Sequence, residues 1–269
     1  MEVSILEYND KYLKALVRNV PLPLINALRR TIIAEVPTMA IDEVLFIDNT
    51  SALYDEIIAH RLGLIPLKTD LDRYKMPEEV GCKDITQCRE VAVRLILDVE
   101  AKDDIRVVYS GDLKSEDPEI TPVSDKIPIV ILSKGQKIAL EAYARLGRGR
   151  EHIKWSPVSV SVFKYLPKIE VNLELCTYCG ECVKACPRKI FSIEGDNIKI
   201  GNIINCILCR ACEEACPTKA ITVSWESDSF VFYIESTGAL PSKRIIVEAF
   251  KILKNKLLQL QKKVMEATK

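Results

Sequence analysis

The sequence reads CTYCGECVKACP at residues 176–187 and CILCRACEEACP at residues 206–217, and these two stretches decide the fold around them. Each is a C-x2-C-x2-C-x3-C motif followed by proline, and the second begins 30 residues after the first. Three thiolates two residues apart converge on three corners of an iron–sulfur cubane, while the fourth cysteine turns toward the other cluster. We therefore predict crossed ligation, with one cluster bound by Cys176, Cys179, Cys182 and Cys216 and the other by Cys206, Cys209, Cys212 and Cys186.

The repeated motif favours iron–sulfur chemistry over zinc, because zinc sites usually pair two C-x-x-C units without a third loop cysteine. All eight cysteines are present, which favours two [4Fe–4S] clusters. A [3Fe–4S] cluster, or a single occupied site, is the alternative if a fourth ligand is displaced. The flanking strands predicted for a ferredoxin-like βαβ-βαβ domain over residues 169–224 are Ile169–Leu173, Ile190–Ile193, Ile198–Ile200 and Ile221–Trp225.

The composition favours an ordinary protein of the reducing cytoplasm. The 269 residues predict two or three domains, and 38 basic residues balance 38 acidic ones, which argues against binding nucleic acid through bulk charge. We find no signal peptide in the opening MEVSILEYNDKYLK and no apolar run of membrane-spanning length. Clustered cysteines in such a chain favour metal over disulfides. Cys82 and Cys88 make only half a metal site and are predicted to be unpaired loop thiols.

Amphipathic helices are predicted near both ends of the chain. The first lies between Pro21 and Pro37, which suit a helix start and end. The second begins near Pro241, and its apolar residues alternate at spacings of four and three, the pattern of a helix that packs against another helix. Packing on its own domain and packing on a partner chain both remain open for it. The candidate partner contacts are Ile25, Leu28 and Ile32 in the first helix and Ile246, Phe250, Leu253, Leu257 and Leu260 in the second.

Residues 41–168 are predicted to be mainly β, from runs of alternating and β-branched residues. The predicted elements are strands at Ile41–Asp48, Val91–Glu100, Ile105–Tyr109 and Val158–Tyr165, a helix at Ala52–Leu62, and loops at Lys75–Arg89 and Gly111–Pro128. A further strand is predicted at Phe230–Glu235.

No catalytic constellation is evident. The chain has two histidines, His60 and His152, which is too few for a Ser/His/Asp or Cys/His arrangement, and a structural role is favoured for His60. We find no Asp-x-Asp-x-Asp magnesium motif and no P-loop. Arg145, Arg148 and Arg150 form a small basic loop, for which a solvated or subunit-contacting role is favoured over phosphate binding.

Three segments outside the cysteine module together resemble the α-like subunits of cellular RNA polymerases. They are LPLINALRRTIIAEVPTMAIDEV at residues 22–44, LYDEIIAHRLGLIPL at residues 53–67 and GREHIKWSPVSVS at residues 149–161. A ferredoxin-like insert ahead of the last β run and C-terminal helix resembles, within these, the archaeal Rpo3 family. The resemblance covers essentially the whole chain, and the first two segments are the most specific.

This resemblance implies an α+β fold in three parts. A dimerisation domain would be split between residues 1–40 and 225–269, a mainly β insert domain would occupy residues 41–168, and the iron–sulfur domain residues 169–224. Eukaryotic counterparts carry a four-cysteine zinc loop near Cys82 and Cys88, and with only two cysteines here zinc is not expected.

The resemblance also implies a function: a non-catalytic assembly subunit of archaeal DNA-dependent RNA polymerase. It would form a heterodimer with the small subunit L, to which subunits N and P and then the two large catalytic subunits add. DNA would be met only through the assembled complex, and no membrane is expected. The clusters would stabilise the insert or make assembly sensitive to oxygen or iron. The cysteine motif alone would favour an electron-transfer subunit of an oxidoreductase, but the chain has no flavin or nicotinamide signature.

Overall fold

The computed structural model describes residues 1–81, 84–195 and 197–268. The chain forms two compact units: unit 1 comprises Met1–Glu7, Lys14–Asn26 and Val162–Tyr233, and unit 2 comprises Tyr8–Leu13, Ala27–Ser161 and Ile234–Lys269. None of the helices in the described ranges has the length and apolar character that a bilayer span requires.

The elements in chain order are β1 (Glu2–Tyr8), β2 (Tyr12–Arg18), α1 (Leu22–Ala34), β3 (Pro37–Asn49), α2 (Asp55–Gly63), α3 (Pro77–Val80), β4 (Ala92–Glu100), β5 (Arg106–Tyr109), β6 (Lys114–Ser115), β7 (Pro128–Leu132), β8 (Lys137–Arg148), β9 (Val158–Val171), α4 (Glu181–Ala185), β10 (Phe191–Glu194), β11 (Asn197–Ile200), α5 (Ala211–Glu214), β12 (Ile221–Ser236) and α6 (Ser242–Ala267).

Unit 2 is built on an antiparallel sheet with the strand order β3-β8-β4-β6, beside a two-stranded sheet of β5 and β7. Alternate residues of β4 are buried, as expected for a sheet with one face on a core. Leu97 of β4 lies opposite Leu140 of β8, and both are fully buried. They belong to a continuous core of 24 buried residues, and burial of this apolar surface stabilises the region.

Unit 1 contains the cysteine module. Strands β1, β2, β12 and β9 are hydrogen-bonded in that order, and β10 and β11 form a separate antiparallel hairpin. The ring of Phe230 in β12 meets the rings of Phe163 and Tyr165 in β9 at centroid distances of 5.5 and 5.0 Å. The core of the module is small: nine buried residues, four of them cysteines.

The structure extends several predicted strands. β9 joins the predicted strands at 158–165 and 169–173 into one strand that ends at Val171, and β12 runs without a break through 221–225 and 230–235. β7 and β8 were absent from the predicted set. β8 contains Ala139, Ala142 and Ala144, a residue type with low strand propensity, and its conformation is fixed by pairing on both sides.

Three predictions need correction. The loop expected at 75–89 contains the short helix α3 and a 3-10 turn at Ile85–Gln87, and the loop expected at 111–128 contains β6. Cys88 is disulfide-bonded, so the prediction of an unpaired thiol is wrong for that residue. Cys82 lies outside the described residues. The predicted helix after Pro241 is confirmed as α6.

Candidate iron–sulfur centres

The two cysteine loops share one backbone conformation. The residues on either side of the second cysteine have positive φ in both loops: 55° for Tyr178 and 77° for Gly180, 58° for Leu208 and 60° for Arg210. Alternation of right- and left-handed residues turns successive N–H groups into a concave site for an anion. Within the described part of the chain, five of the six non-glycine residues with positive φ lie in this module. Such strain concentrates at functional sites.

The turn that leads into each loop is also repeated. The side-chain Oδ1 of Asn172 accepts a hydrogen bond from the Glu174 N–H at 3.0 Å, and Oδ1 of Asn202 accepts one from the Ile204 N–H at 3.1 Å. An Asn side chain that binds the backbone two residues on fixes a turn. Both loops therefore begin with the same turn, fixed by an Asn side chain, 30 residues apart.

Backbone N–H groups point at the sulfurs. The Leu208 N–H donates to Cys206 Sγ at 3.4 Å, and the Ala220 N–H donates to Cys216 Sγ at 3.2 Å. The Thr218 hydroxyl lies 3.7 Å from the same Cys216 sulfur. Burial raises the pKa of Cys216, but these hydrogen bonds outweigh it and leave the pKa lowered. The arrangement favours the thiolate, the form that binds metal.

The thiols of the first loop interact with one another. Burial raises the pKa of Cys182, and the charges of Cys176 and Cys179 raise it further. Mutual repulsion of this kind requires that the three sulfurs lie near each other. A bound cationic iron–sulfur core would remove the penalty, because it supplies the missing positive charge.

One thiol of the second loop interacts with a cysteine of the first. Burial raises the pKa of Cys212 to about 11, with additional contributions from the charges of Cys186 and Cys206. The short helices α4 and α5 pack against each other, which brings the fourth cysteine of the first motif toward the second loop. The fold thus places Cys186 close to the loop that it does not belong to in sequence.

These features fit iron–sulfur clusters. All eight module cysteines are free thiols, and two of them, Cys179 and Cys209, are exposed. In the described ranges no three His, Cys, Asp or Glu side chains converge closely enough to share one metal ion. A cubane does not require this, because each thiolate binds a different iron atom. Loops with free thiols, inward N–H groups and strained anion-binding turns suit the anionic cluster.

The predicted partner residues fall into two groups. Ile25, Leu28 and Ile32 of α1 are 2%, 6% and 0% exposed. These three side chains are buried within this chain, and their contact with a partner remains a prediction. In α6, the exposed fraction is 41% for Phe250 and 65% for Leu257. Ile246 and Leu253 are half-buried, and Leu260 is exposed.

Sequence reasoning missed a charged cluster in unit 2. Asp42 accepts hydrogen bonds from Arg145 Nε and Lys154 Nζ, both at 2.6 Å. Both cations also stack on the ring of Trp155, at 4.4 and 4.3 Å from its centroid. Gly147 lies so close to this ring that a Cβ would clash with it. Asp42 is 103 residues from Arg145 in sequence, so the sequence alone did not show that it pairs with these cations.

The two histidines lie together beside this cluster. His60, His152 and Asp42 line one cavity in unit 2. His152 Nδ1 accepts a hydrogen bond from the Lys154 N–H at 3.1 Å, which caps a 3-10 turn. This is a structural role for His152.

Comparison with known families supports the assignment of both regions. Residues 41–167 match the family model described as the RNA polymerase Rpb3/RpoA insert domain. Residues 168–218 match the 4Fe-4S dicluster domain.

Curated relatives match along nearly the whole chain. The DNA-directed RNA polymerase subunit Rpo3 of Archaeoglobus fulgidus is 46% identical, over 98% of each chain. That of Methanosphaera stadtmanae is 41% identical over 95% of this chain and 96% of its own. That of Pyrococcus horikoshii is 38% identical over 95% of both. With this identity over this length, the chain belongs to the Rpo3 family of archaeal DNA-directed RNA polymerase subunits.

Proposed function

We propose that this RNA polymerase subunit is a non-catalytic assembly platform. It forms a heterodimer with subunit L, and this heterodimer nucleates assembly as subunits N and P and then the two large catalytic subunits add. DNA is met only through the assembled complex, in the cytoplasm. Nucleotidyl transfer belongs to other chains, in keeping with the lack of a magnesium motif or catalytic triad in this sequence.

The observation that carries the proposal is the exposed apolar stripe of α6. Along this 26-residue helix only Ser242, Ile245 and Ala249 are buried. Beyond them apolar residues continue to the end of the helix, with Leu260 59% and Val264 54% exposed. A helix with a regular apolar seam and lysines on its remaining surface is suited to pairing with a helix of another chain. The proposed dimerisation surface therefore centres on α6.

We assign the chain's parts accordingly. Residues 1–40 and 225–269 form the dimerisation domain, residues 41–168 the insert domain that faces the large subunits, and residues 169–224 the cluster domain. The insert and cluster families matched at 41–167 and 168–218 support this division.

The cluster domain holds two [4Fe–4S] clusters through crossed ligation. Cys176, Cys179, Cys182 and Cys216 bind the first, and Cys206, Cys209, Cys212 and Cys186 bind the second. The packing of α4 against α5, with Cys186 at the C-terminal end of α4, supports this pairing over one cluster per motif. When bound, the clusters supply the ionic cross-links between the two loops, and the chain's own residues hold the thiolates in place. Because metal binding and folding are coupled, we assign them a structural role that also makes assembly sensitive to iron supply.

The proposal is tested by anaerobic co-expression with subunit L from the same organism. We expect a stable 1:1 complex with about eight iron atoms. Leu257→Asp places a charge on the stripe and should abolish the complex. Asn255→Asp adds the same charge on the opposite face of α6 and should leave it intact. The proposal would be contradicted if the chain does not bind L, or if Leu257→Asp and Asn255→Asp weaken L binding equally.

A further inference from the structure

The two proposed ligand sets differ in burial. Three thiols of the second set, Cys186, Cys206 and Cys212, are buried, whereas Cys182 is the one buried thiol of the first set. A cubane held by four thiolates is anionic, and less water around it means less solvation of that charge. The second cluster therefore needs more counter-charge from the protein than the first.

Lys164 brings a cation to the second loop from outside the module. It lies on β9, and its Nζ donates hydrogen bonds to the carbonyl oxygens of Ile204 at 2.5 Å and Cys206 at 2.7 Å. Burial lowers the pKa of Lys164, the Cys206 thiolate opposes this, and the charges of Lys14 and Arg188 lower it further. The ammonium has three N–H donors, so one is left after these two bonds.

Lys164 is one of four cations around a single cavity. The cavity measures about 480 Å³ and is lined by Lys14, Lys164, Arg188 and Lys189, with no acidic residue. Lys14 forms an ion pair with Glu7 at 2.8 Å. Neither Arg188 nor Lys189 has a carboxylate within ion-pair distance among the residues that the structure describes. Net positive charge therefore accumulates next to Cys186 and Cys206.

The first loop lacks this arrangement, although its backbone is the same. Thirty residues away, Glu174 stands in the position of Ile204, and Thr218 in that of Arg188. In the described ranges, no side chain donates a hydrogen bond to the carbonyl of Glu174 or Cys176. The repeat is thus symmetric in its backbone and asymmetric in its charge.

We propose that Lys164, with Arg188 and Lys189, forms a counter-charge site that acts on the second cluster alone and raises its midpoint potential. The inference rests on the clusters and crossed ligation proposed above. On reduction the second cluster accepts one electron from an external donor, no bond forms or breaks, and the cations stay in place. Nearby positive charge stabilises the more negative reduced form, and burial strengthens the interaction because it is less screened. Lys164 is a positioning and electrostatic residue and does not bind iron.

The test is a dithionite titration of the anaerobic heterodimer with subunit L, followed by electron paramagnetic resonance. We expect two midpoint potentials. Lys164→Met removes the charge and keeps the chain length, so one potential should fall. We expect at least a tenfold drop in the ratio of reduced to oxidised second cluster at fixed potential, which is about 59 mV for one electron. Lys164→Arg should restore most of the shift, a rescue that a purely steric role would not produce.

A matched pair of exposed lysines identifies the cluster concerned. Lys189 and Lys219 each lie three residues after the last cysteine of their motif, with φ of 51° and 54°. Lys189→Gln should lower the potential that Lys164→Met lowers, by less, and Lys219→Gln should lower the other one. If Lys164→Met loses its second cluster, Lys189→Gln and Lys219→Gln still test whether the nearby charge changes the potential of the second cluster.

Three results would overturn the proposal: a single cluster per heterodimer, potentials that do not respond to Lys164→Met and Lys189→Gln, or equal shifts of both clusters. Binding of L, measured on the same samples, is expected to be unchanged throughout. Loss of L binding in the unmodified chain would instead count against the assembly function.

Discussion

The insert sheet in unit 2 and the cysteine module in unit 1 are stabilised by different means. The sheet surrounds 24 buried residues, nearly all aliphatic, and its longest strands pair along nine or more residues. The module has nine buried residues, of which four are thiols, and helices α4 and α5 have only five and four residues. Helices this short do not hold their shape in water without tertiary support. The first region can fold by burying apolar surface, whereas the second depends on the clusters that its cysteines bind.

The largest expected effect is therefore the removal of iron. A chelator applied in air to the heterodimer with subunit L should unfold the module while the insert sheet stays intact. Limited proteolysis checks this: we expect new cleavages between residues 172 and 220 and a surviving fragment that contains residues 41–160. The anaerobic, iron-loaded complex is the control and should resist cleavage in both regions. Cleavage spread evenly over the chain would mean that the insert sheet and the cysteine module are not stabilised separately.

A cavity in the sheet core should have the complementary effect. Leu97→Ala removes a fully buried side chain opposite Leu140, so we expect a loss of about 2–5 kcal/mol in the free energy of unfolding. Denaturant unfolding of the heterodimer measures this, and its iron content should not change. Leu45→Ala truncates a side chain that is 58% exposed and should cost less than about 0.5 kcal/mol. Iron loss in Leu97→Ala would mean that the two regions are not separately stabilised.

The charged cluster at Asp42 should contribute less. Asp42→Asn leaves Lys154 without its carboxylate and Arg145 with only the ion pair to Glu151 at 3.6 Å. Both cations are less than 20% exposed, so we expect a cost of about 1–3 kcal/mol. Burial raises the pKa of Asp42, but hydrogen bonds from both cations outweigh it and lower the pKa below its ordinary value of 3.8. The stabilisation is therefore fully present above that value and is lost as the pH falls through the folded-state pKa. Unfolding curves from about pH 2.5 to about pH 6 should show a smaller acid loss in Asp42→Asn, and identical slopes would argue against the pair.

The smallest effect is expected at the turn before the second loop. Asn202→Ala removes the side-chain oxygen that accepts the Ile204 N–H, which costs about 1 kcal/mol of local stability. We expect faster release of iron to a chelator, with no change in unfolding of the insert sheet. Asn172→Ala provides the matched change at the first loop. If neither variant releases iron faster, the turns do not support the loops.

The sequence predicted some features of this molecule well because they are local. The spacing of Cys176, Cys179 and Cys182 identifies a cluster loop without knowledge of the rest of the chain, and the period of α6 is visible in its own residues. β8 was missed because pairing with two neighbours overrides its alanine content.

The positive charge next to the second loop could not be predicted from the sequence, because it depends on tertiary contacts. Lys164 is 42 residues from Cys206, and its contact with that carbonyl depends on the path of β9. Ile25 and Ile32 follow a helical period, but a period does not say whether the face meets the chain's own core or a partner. Only the structure shows that Ile25 and Ile32 are buried within this chain.

The most direct test of the account is hydrogen–deuterium exchange on the heterodimer with subunit L, with and without iron. We predict that peptides from residues 172–220 lose protection when iron is removed, while those from β3, β4, β8 and α6 keep it. Unchanged protection of residues 172–220 would contradict the account, because the module would then be stable on its nine buried residues alone. Loss of protection in the sheet and α6 as well would contradict it too, since the clusters would then support the whole subunit.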